Sequence, residues 1–117
     1  MSSHASSAYM QTCIDNCADC HRVCLETVAH CLRKGGRHAD AEHLTLLLDC
    51  AQICATSADF MMRGSERHSL TCGVCAKICT ACAEACEAMG DDAQMKACAE
   101  ACRRCAESCR EMAGRGK

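Results

Sequence analysis

Along the chain, apolar positions return every three or four residues in four blocks that glycines separate. In the third block, TCGVCAKICTACAEACEAM from Thr71 to Met89, residues Cys72, Cys75, Cys79, Cys82 and Cys86 follow steps of three, four, three and four. At about 100° per residue these side chains fall within an arc of about 80°, which is one face of an α-helix. Gly64 and Ser65 precede the block, with Ser65 placed to cap the helix, and Gly90 closes it. The first block predicts a helix from about Ser7 to Lys34, with residues 1–7 loose and Gly35-Gly36 as its stop. Its stripe is Cys13, Cys17, Cys20, Cys24 and Cys31, extended one turn backwards by Met10. Asp91 followed by Gln94 resembles a capping box and launches the last helix, which should run to about Ala113 and stop at Gly114. There the stripe is Cys98, Cys102, Cys105 and Cys109, flanked in phase by Met95 and Met112, while Glu100, Arg103, Glu107 and Arg110 read as a solvated outer face.

The second block is different. It predicts a helix over about Ala39 to Arg63, with Asp40 as a cap, but only Cys50 and Cys54 carry sulfur on its inner line, continued by Leu47 and Met61. Leu44, Leu48, Ala51 and Ala58 form a neighbouring apolar stripe, and Ile53 and Phe60 widen it further. So wide an arc fits either ordinary core packing or a subunit interface. Four helices joined by short turns, with no proline to break them, predict an all-α fold. The expected form is an antiparallel up-down-up-down four-helix bundle with a cysteine-lined core, a single domain over residues 1–117. At ~1.5 Å per residue, twenty residues of stripe make a sulfur-lined tube roughly 30 Å long.

Composition changes what the core is made of. The chain has 16 cysteines in 117 residues, no tryptophan, and only Tyr9 and Phe60 as aromatics, so sulfur must fill much of the interior. With 13 basic against 15 acidic residues there is no field for nucleic acid or an anionic membrane. No stretch looks like a membrane span of ~18 apolar residues, and the start, MSSHASSAYMQT, lacks a basic run followed by an apolar segment. The expected location is the cytoplasm. A disulfide scaffold fits poorly there, because cytosol is reducing. Facing helix axes also lie ~8–10 Å apart, against ~4.4–6.8 Å between the Cα atoms of a disulfide.

Reduced thiols in such numbers point to metal. Seven CxxxC pairs stand in the chain, at 13/17, 20/24, 50/54, 75/79, 82/86, 98/102 and 105/109. Cysteines four apart on a helix stack with Cβ atoms ~5–6 Å apart, so two sulfurs can approach one ion from nearly opposite sides. That suits a two-coordinate ion, and soft thiolates select Cu(I). If every ion takes two thiolates and every thiolate bridges two ions, sixteen sulfurs hold about sixteen Cu(I) with the charge nearly neutralised and about one proton released per cysteine. The alternative is a general thiolate buffer for zinc or cadmium, metallothionein-like. A dithiol redox enzyme has less support: CxxC at 17/20, 72/75, 79/82 and 102/105 arises automatically from steps of three and four, and no βαβ pattern surrounds it. No other arrangement of catalytic side chains or phosphate-binding glycine loop is present in the sequence, so the protein is not expected to be an enzyme.

In an up-down bundle, Met10, Met61, Met62, His68 and Met112 share one end, where neutral thioethers and an imidazole would make a weaker mouth for incoming Cu(I). The same residues can equally be core filling. The opposite end has His30, His38, His43, Met89 and Met95, and His21 beside the first stripe reads as a surface or hydrogen-bonded histidine before it reads as a ligand. Without Met1, Ser2-Ser3-His4 would offer Cu(II) a free amine and a third-position imidazole.

The repeated CxxxC on four helices, the lack of proline and the run CGVCAKICTACAEACE resemble the cytosolic copper storage proteins over about Met10 to Met112. The resemblance implies a four-helix bundle holding many Cu(I) ions through cysteine thiolates and a homotetramer of such bundles. A copper chaperone is the expected class of delivery partner. Exported relatives carry a twin-arginine signal, which this chain lacks. Ser57 stands where one more cysteine would continue the inner line of the second helix, so capacity is expected to be lower than in cysteine-richer relatives.

Overall fold

A computed structural model describes residues 3–115, with side chains from residue 8 onward, so a Cu(II) site at Ser2-Ser3-His4, which would rest on Ser2 and the His4 side chain, lies outside what is described. Four α-helices follow one another: α1, Ser3–Lys34; α2, Ala41–Met62; α3, His68–Glu87; and α4, Ala93–Arg115, with a single 3-10 turn, Gly36–Ala39, between α1 and α2. Each helix packs on its two neighbours in the order α1, α2, α3, α4 and back to α1, so the four surround one shared interior. The cysteine stripes face inward and the bundle is elongated, 51 × 20 × 18 Å. That is the predicted antiparallel four-helix bundle.

The helix ends depart from the sequence reading in instructive ways. α1 starts at Ser3, ahead of the expected Ser7. Its end is as expected, since Gly35 and Gly36 take φ of 73° and 58°, the left-handed region that glycine enters without a Cβ penalty. Asp40 sits at the cap position of α2 but makes no side-chain capping bond. Ser65 does not cap α3 either; its Oγ accepts from the Arg67 N–H at 3.1 Å, closing a small turn before the helix begins at His68. The start of α4 is capped by Asp92 in place of Asp91: Asp92 Oδ1 accepts the Gln94 and Met95 N–H groups at 3.0 and 3.2 Å, while Asp91 is exposed and pairs with Lys96. Gly114 does not stop α4, which runs on to Arg115.

Two readings of the surface also change. α2 and α3 each contain an 18-residue window with mean hydropathy 1.2, long and apolar enough by composition to cross a membrane, contrary to the expectation from counting conventional apolar residues. Five cysteines supply much of that hydropathy in α3 and four leucines in α2, and core helices of a bundle pass the same test. Arg103 is more than a solvated charge: it forks onto Glu87 with bonds of 2.8 and 3.0 Å and ties α4 to the end of α3.

Candidate metal centre

All sixteen cysteines are buried, none is in a disulfide, and none is more than 1% exposed. The reason is the register of the helices. Residues at alternating steps of three and four stay on one line, and each of α1, α3 and α4 turns that line inward because most of its other positions are polar or alanine. α2 adds Cys50 and Cys54 at mid-length, between Leu47 and Met61, both of which are buried. Alanines 76, 83, 99, 101 and 106 pack beside the stripes, so the helices approach closely and the sulfurs meet.

They meet chiefly across helices. Cys13 and Cys17 on α1 each lie 3.6 Å from Cys109 on α4, and Cys105 donates to Cys17 at 3.5 Å. Cys20 reaches Cys50 at 3.8 Å and Cys102 at 3.7 Å, and Cys50 reaches Cys79 at 3.6 Å. Cys54 touches three others, Cys75, Cys79 and Cys105, at 3.7, 3.6 and 3.7 Å. Further along, Cys24 lies 3.9 Å from Cys98, and Cys24, Cys82, Cys98 and Cys102 form a group of four within 4.8 Å of one another. Of the seven CxxxC pairs, 20/24, 75/79 and 105/109 are themselves within 4.0 Å. An ion in this interior therefore has sulfurs from neighbouring helices at hand as well as those one turn away, a feature that spacing within one helix does not reveal.

The thiols also tune one another. Hydrogen bonds from Cys105 draw Cys17 and Cys75 below the ordinary thiol range, whereas the bonds to Cys109 and Cys17 push Cys13 above it. Cys72 is pushed up to about 12: a bond from Cys109 lowers it, but Cys13 and burial outweigh that. Cys31 is raised by burial first, and then by Asp92 and Cys98. Within such a network a proton lost at one sulfur is compensated by S–H donors around it, and a cation is the natural replacement.

The thiol line is interrupted twice by hydroxyls. Thr27, fully buried between Cys24 and Cys31, bonds to the Val23 carbonyl at 2.7 Å and accepts Gln94 Nε2 at 2.9 Å. Ser57, also fully buried, lies 3.2 Å from Cys72 Sγ and 3.3 Å from Thr71 Oγ1. Thr27 occupies the gap of seven between Cys24 and Cys31 in the α1 stripe.

The residues expected at the mouth divide into three that reach the core and two that do not. Met61 and Met112 are each 2% exposed, Met10 packs half-buried against the same cluster, and Cys72 donates to Met61 Sδ at 3.8 Å. Met62 is 61% exposed and points away, because a residue next to Met61 is turned by about 100°. His68 is half-buried with Nδ1 2.9 Å from the Ser65 carbonyl. At the other end Cys31 donates to Met95 Sδ at 3.7 Å. His21 Nδ1 bonds to the Ala51 carbonyl at 2.9 Å and joins α1 to α2, the structural role expected of it.

Comparison with known proteins places this arrangement. The family profile described as copper storage protein matches residues 6–114. The crystal structure of Nmul_A1745 from Nitrosospira multiformis is 49% identical with a TM-score of 0.87, over 92% of this chain and 97% of that one. The Cu(I)-bound copper storage protein BsCsp3 from Bacillus subtilis is 37% identical with a TM-score of 0.83, over 90% and 98%. A cytosolic copper storage protein from Streptomyces lividans, solved during loading with five coppers, is 27% identical with a TM-score of 0.86, over 95% and 97%. The cysteine-rich protein YhjQ of Bacillus subtilis (strain 168) is 37% identical over 71 residues, which span 61% of this chain and 66% of YhjQ.

Proposed function

The chain belongs to the copper storage protein family, and from this premise we propose that it holds Cu(I) in bulk, each ion bridged between cysteine thiolates along the bundle interior. The observation that carries the reading is the continuous sulfur network, with contacts of 3.5 to 4.0 Å running from Cys13 and Cys109 to Cys24 and Cys98. No isolated four-ligand centre would require it. All sixteen cysteines are the proposed ligands. Cu(I) is the cargo, at about one ion per cysteine if each thiolate bridges two ions. The protein acts by binding and holding, with no chemical turnover.

The end formed by Met10, Met61 and Met112, with Met62 and His68 at its rim, is the proposed mouth. Its support is the contact from Met61 Sδ to Cys72 Sγ, 3.8 Å, which hands an ion from thioether to thiolate. A copper chaperone is the class of partner that would deliver there. The whole chain is proposed to act as one domain in the cytoplasm, where thiols stay reduced, without nucleic acid or membrane as partner. Assembly into a homotetramer accounts for the exposed apolar residues Leu48, Leu70 and Val74 on α2 and α3.

Titrating the reduced apoprotein with Cu(I) against a chromophoric chelator, followed by native mass spectrometry, tests the reading. It is expected to show about sixteen ions per chain, and a plateau near four would overturn it. One observation favours the zinc or cadmium alternative: tetrahedral zinc at about 2.3 Å from sulfur separates its ligands by about 3.8 Å, close to the contacts found here. Metal content of protein purified from copper-fed and zinc-fed cells decides between the two.

A further inference from the structure

At the end opposite the methionines, one carboxylate oxygen meets two imidazoles. Asp92 Oδ2 lies 3.0 Å from His30 Nε2 and 3.2 Å from His38 Nε2, and the two rings stand edge to face with centroids 6.0 Å apart. The three side chains come from α1, the 3-10 turn and the residue before α4. They are 25%, 15% and 10% exposed, sheltered yet reachable from solvent. Asp92 is held in place by its other oxygen, which accepts the Gln94 and Met95 N–H groups. A third imidazole, His43, stands in the first turn of α2. His43 is 7% exposed, and its Nε2 is the one buried side-chain nitrogen or oxygen without a hydrogen-bond partner among the described residues.

We propose that His30 Nε2, His38 Nε2 and Asp92 Oδ2 form a site for one divalent cation of the zinc class, chemically separate from the thiolate interior, with His43 as the available fourth donor. Tetrahedral bonds of about 2.0–2.1 Å set ligand atoms about 3.3 Å apart, close to the 3.0 and 3.2 Å that separate Asp92 Oδ2 from the two imidazole nitrogens. Imidazole and carboxylate are borderline and hard donors that suit a dication better than Cu(I). The backbone N–H groups on Asp92 Oδ1 supply the outer contacts that orient a metal-binding carboxylate. Lys34 Nζ, 3.9 Å from Oδ2 and with a side chain 53% exposed, is free to swing into solvent when a dication arrives. The ion then serves as a clasp joining α1, the turn and α4, a role that no thiol in the tube performs.

Cobalt(II) reports the site by its spectrum. Chains are first filled with Cu(I) until a thiol reagent finds no free sulfur, and are then titrated with Co(II). The expected result is one equivalent bound, with d–d bands of a low-symmetry nitrogen and oxygen site, no sulfur-to-cobalt charge transfer, and displacement by Zn(II). His30→Ala/His38→Ala should abolish the bands, and Asp92→Asn, which keeps a capping side chain, should weaken binding while Cu(I) capacity and helicity stay unchanged. Equal Co(II) binding by wild type and the double variant, absence of binding, or a charge-transfer band from sulfur would each overturn the proposal. Free thiols left before cobalt is added would count against the Cu(I) store alone, and the comparison of wild type with the double variant would still decide the histidine site.

Discussion

Cys13 on α1 and Cys109 on α4 are separated by 96 positions in the chain and by 3.6 Å in space. Their contact shows how the interior works: sulfurs from opposite ends of the sequence share a single environment, and the unit of binding is the network and not the pair.

Network position should therefore matter more than cysteine number. Cys105 lies 3.5, 3.7, 3.9 and 4.0 Å from Cys17, Cys54, Cys75 and Cys109, whereas Cys31 meets only Met95 at comparable range. Cys105→Ala should lower the Cu(I) count by more than Cys31→Ala, which removes one ion at most. Native mass spectrometry of the two loaded variants reads this directly, and equal losses would mean that the sulfurs bind independently.

Ser57→Cys should add capacity. The hydroxyl it replaces is fully buried and already 3.2 Å from Cys72 Sγ, so the new sulfur joins the network with only a small increase in volume. The expected gain is one ion per chain in the chelator titration, with folding unchanged by circular dichroism.

The apoprotein should be sensitive to alkali and the loaded protein should not. Burial holds the Cys31 thiol above the ordinary thiol range, and Cys72 is pushed up to about 12. A group whose folded pKa is raised binds its proton more tightly when folded. Its stabilisation is complete below about pH 9 and is lost as pH rises towards the folded value. Thermal unfolding of apoprotein between pH 8 and 11 should show a falling midpoint that is absent once Cu(I) has replaced the protons, and calorimetry in buffers of different ionisation enthalpy should show protons released on loading.

Gly73→Ala should stabilise the apoprotein. Gly73 lies within α3, and a Cβ there would meet only the Ala113 Cβ at 3.9 Å, an ordinary contact. Alanine in place of a helical glycine is worth roughly 0.5–1 kcal/mol. A midpoint that falls instead would mark this face of α3 as covered by another subunit.

Helicity should be present before metal is added, because thiols already pack as small apolar groups beside Leu47, Met61 and Met95. Copper binding to the folded state alone then raises the unfolding midpoint with concentration. Far-UV circular dichroism of copper-free protein showing a coil would contradict this.

The fold and the thiol stripes were legible in sequence because both rest on a step of three or four residues, which only one backbone geometry converts into a line. Cys72 to Cys86 needed no tertiary information. What could not be read depended on neighbours. Topology puts Met61 and Met62 at the same end of the bundle, yet residues side by side on a helix cannot share a face. Asp91 and Asp92 are equivalent by composition, and only the turn after Gly90 decides which one aims its carboxylate at the Met95 N–H. The cross-helix partners of Cys54 depend on how closely alanine lets the helices approach. The meeting of His30 with Asp92 joins residues 62 positions apart and leaves no mark in the spacing.

An interior filled mainly by cysteine binds the fortunes of architecture and inventory together. A lineage under pressure to carry fewer ions cannot simply trade its thiols for alanine, since each exchange hollows out the middle, nor for leucine, since the passage would be blocked. Selection on such a molecule is left with small hydroxyls, as at Thr27 and Ser57, which keep the middle filled while giving up one sulfur at a time.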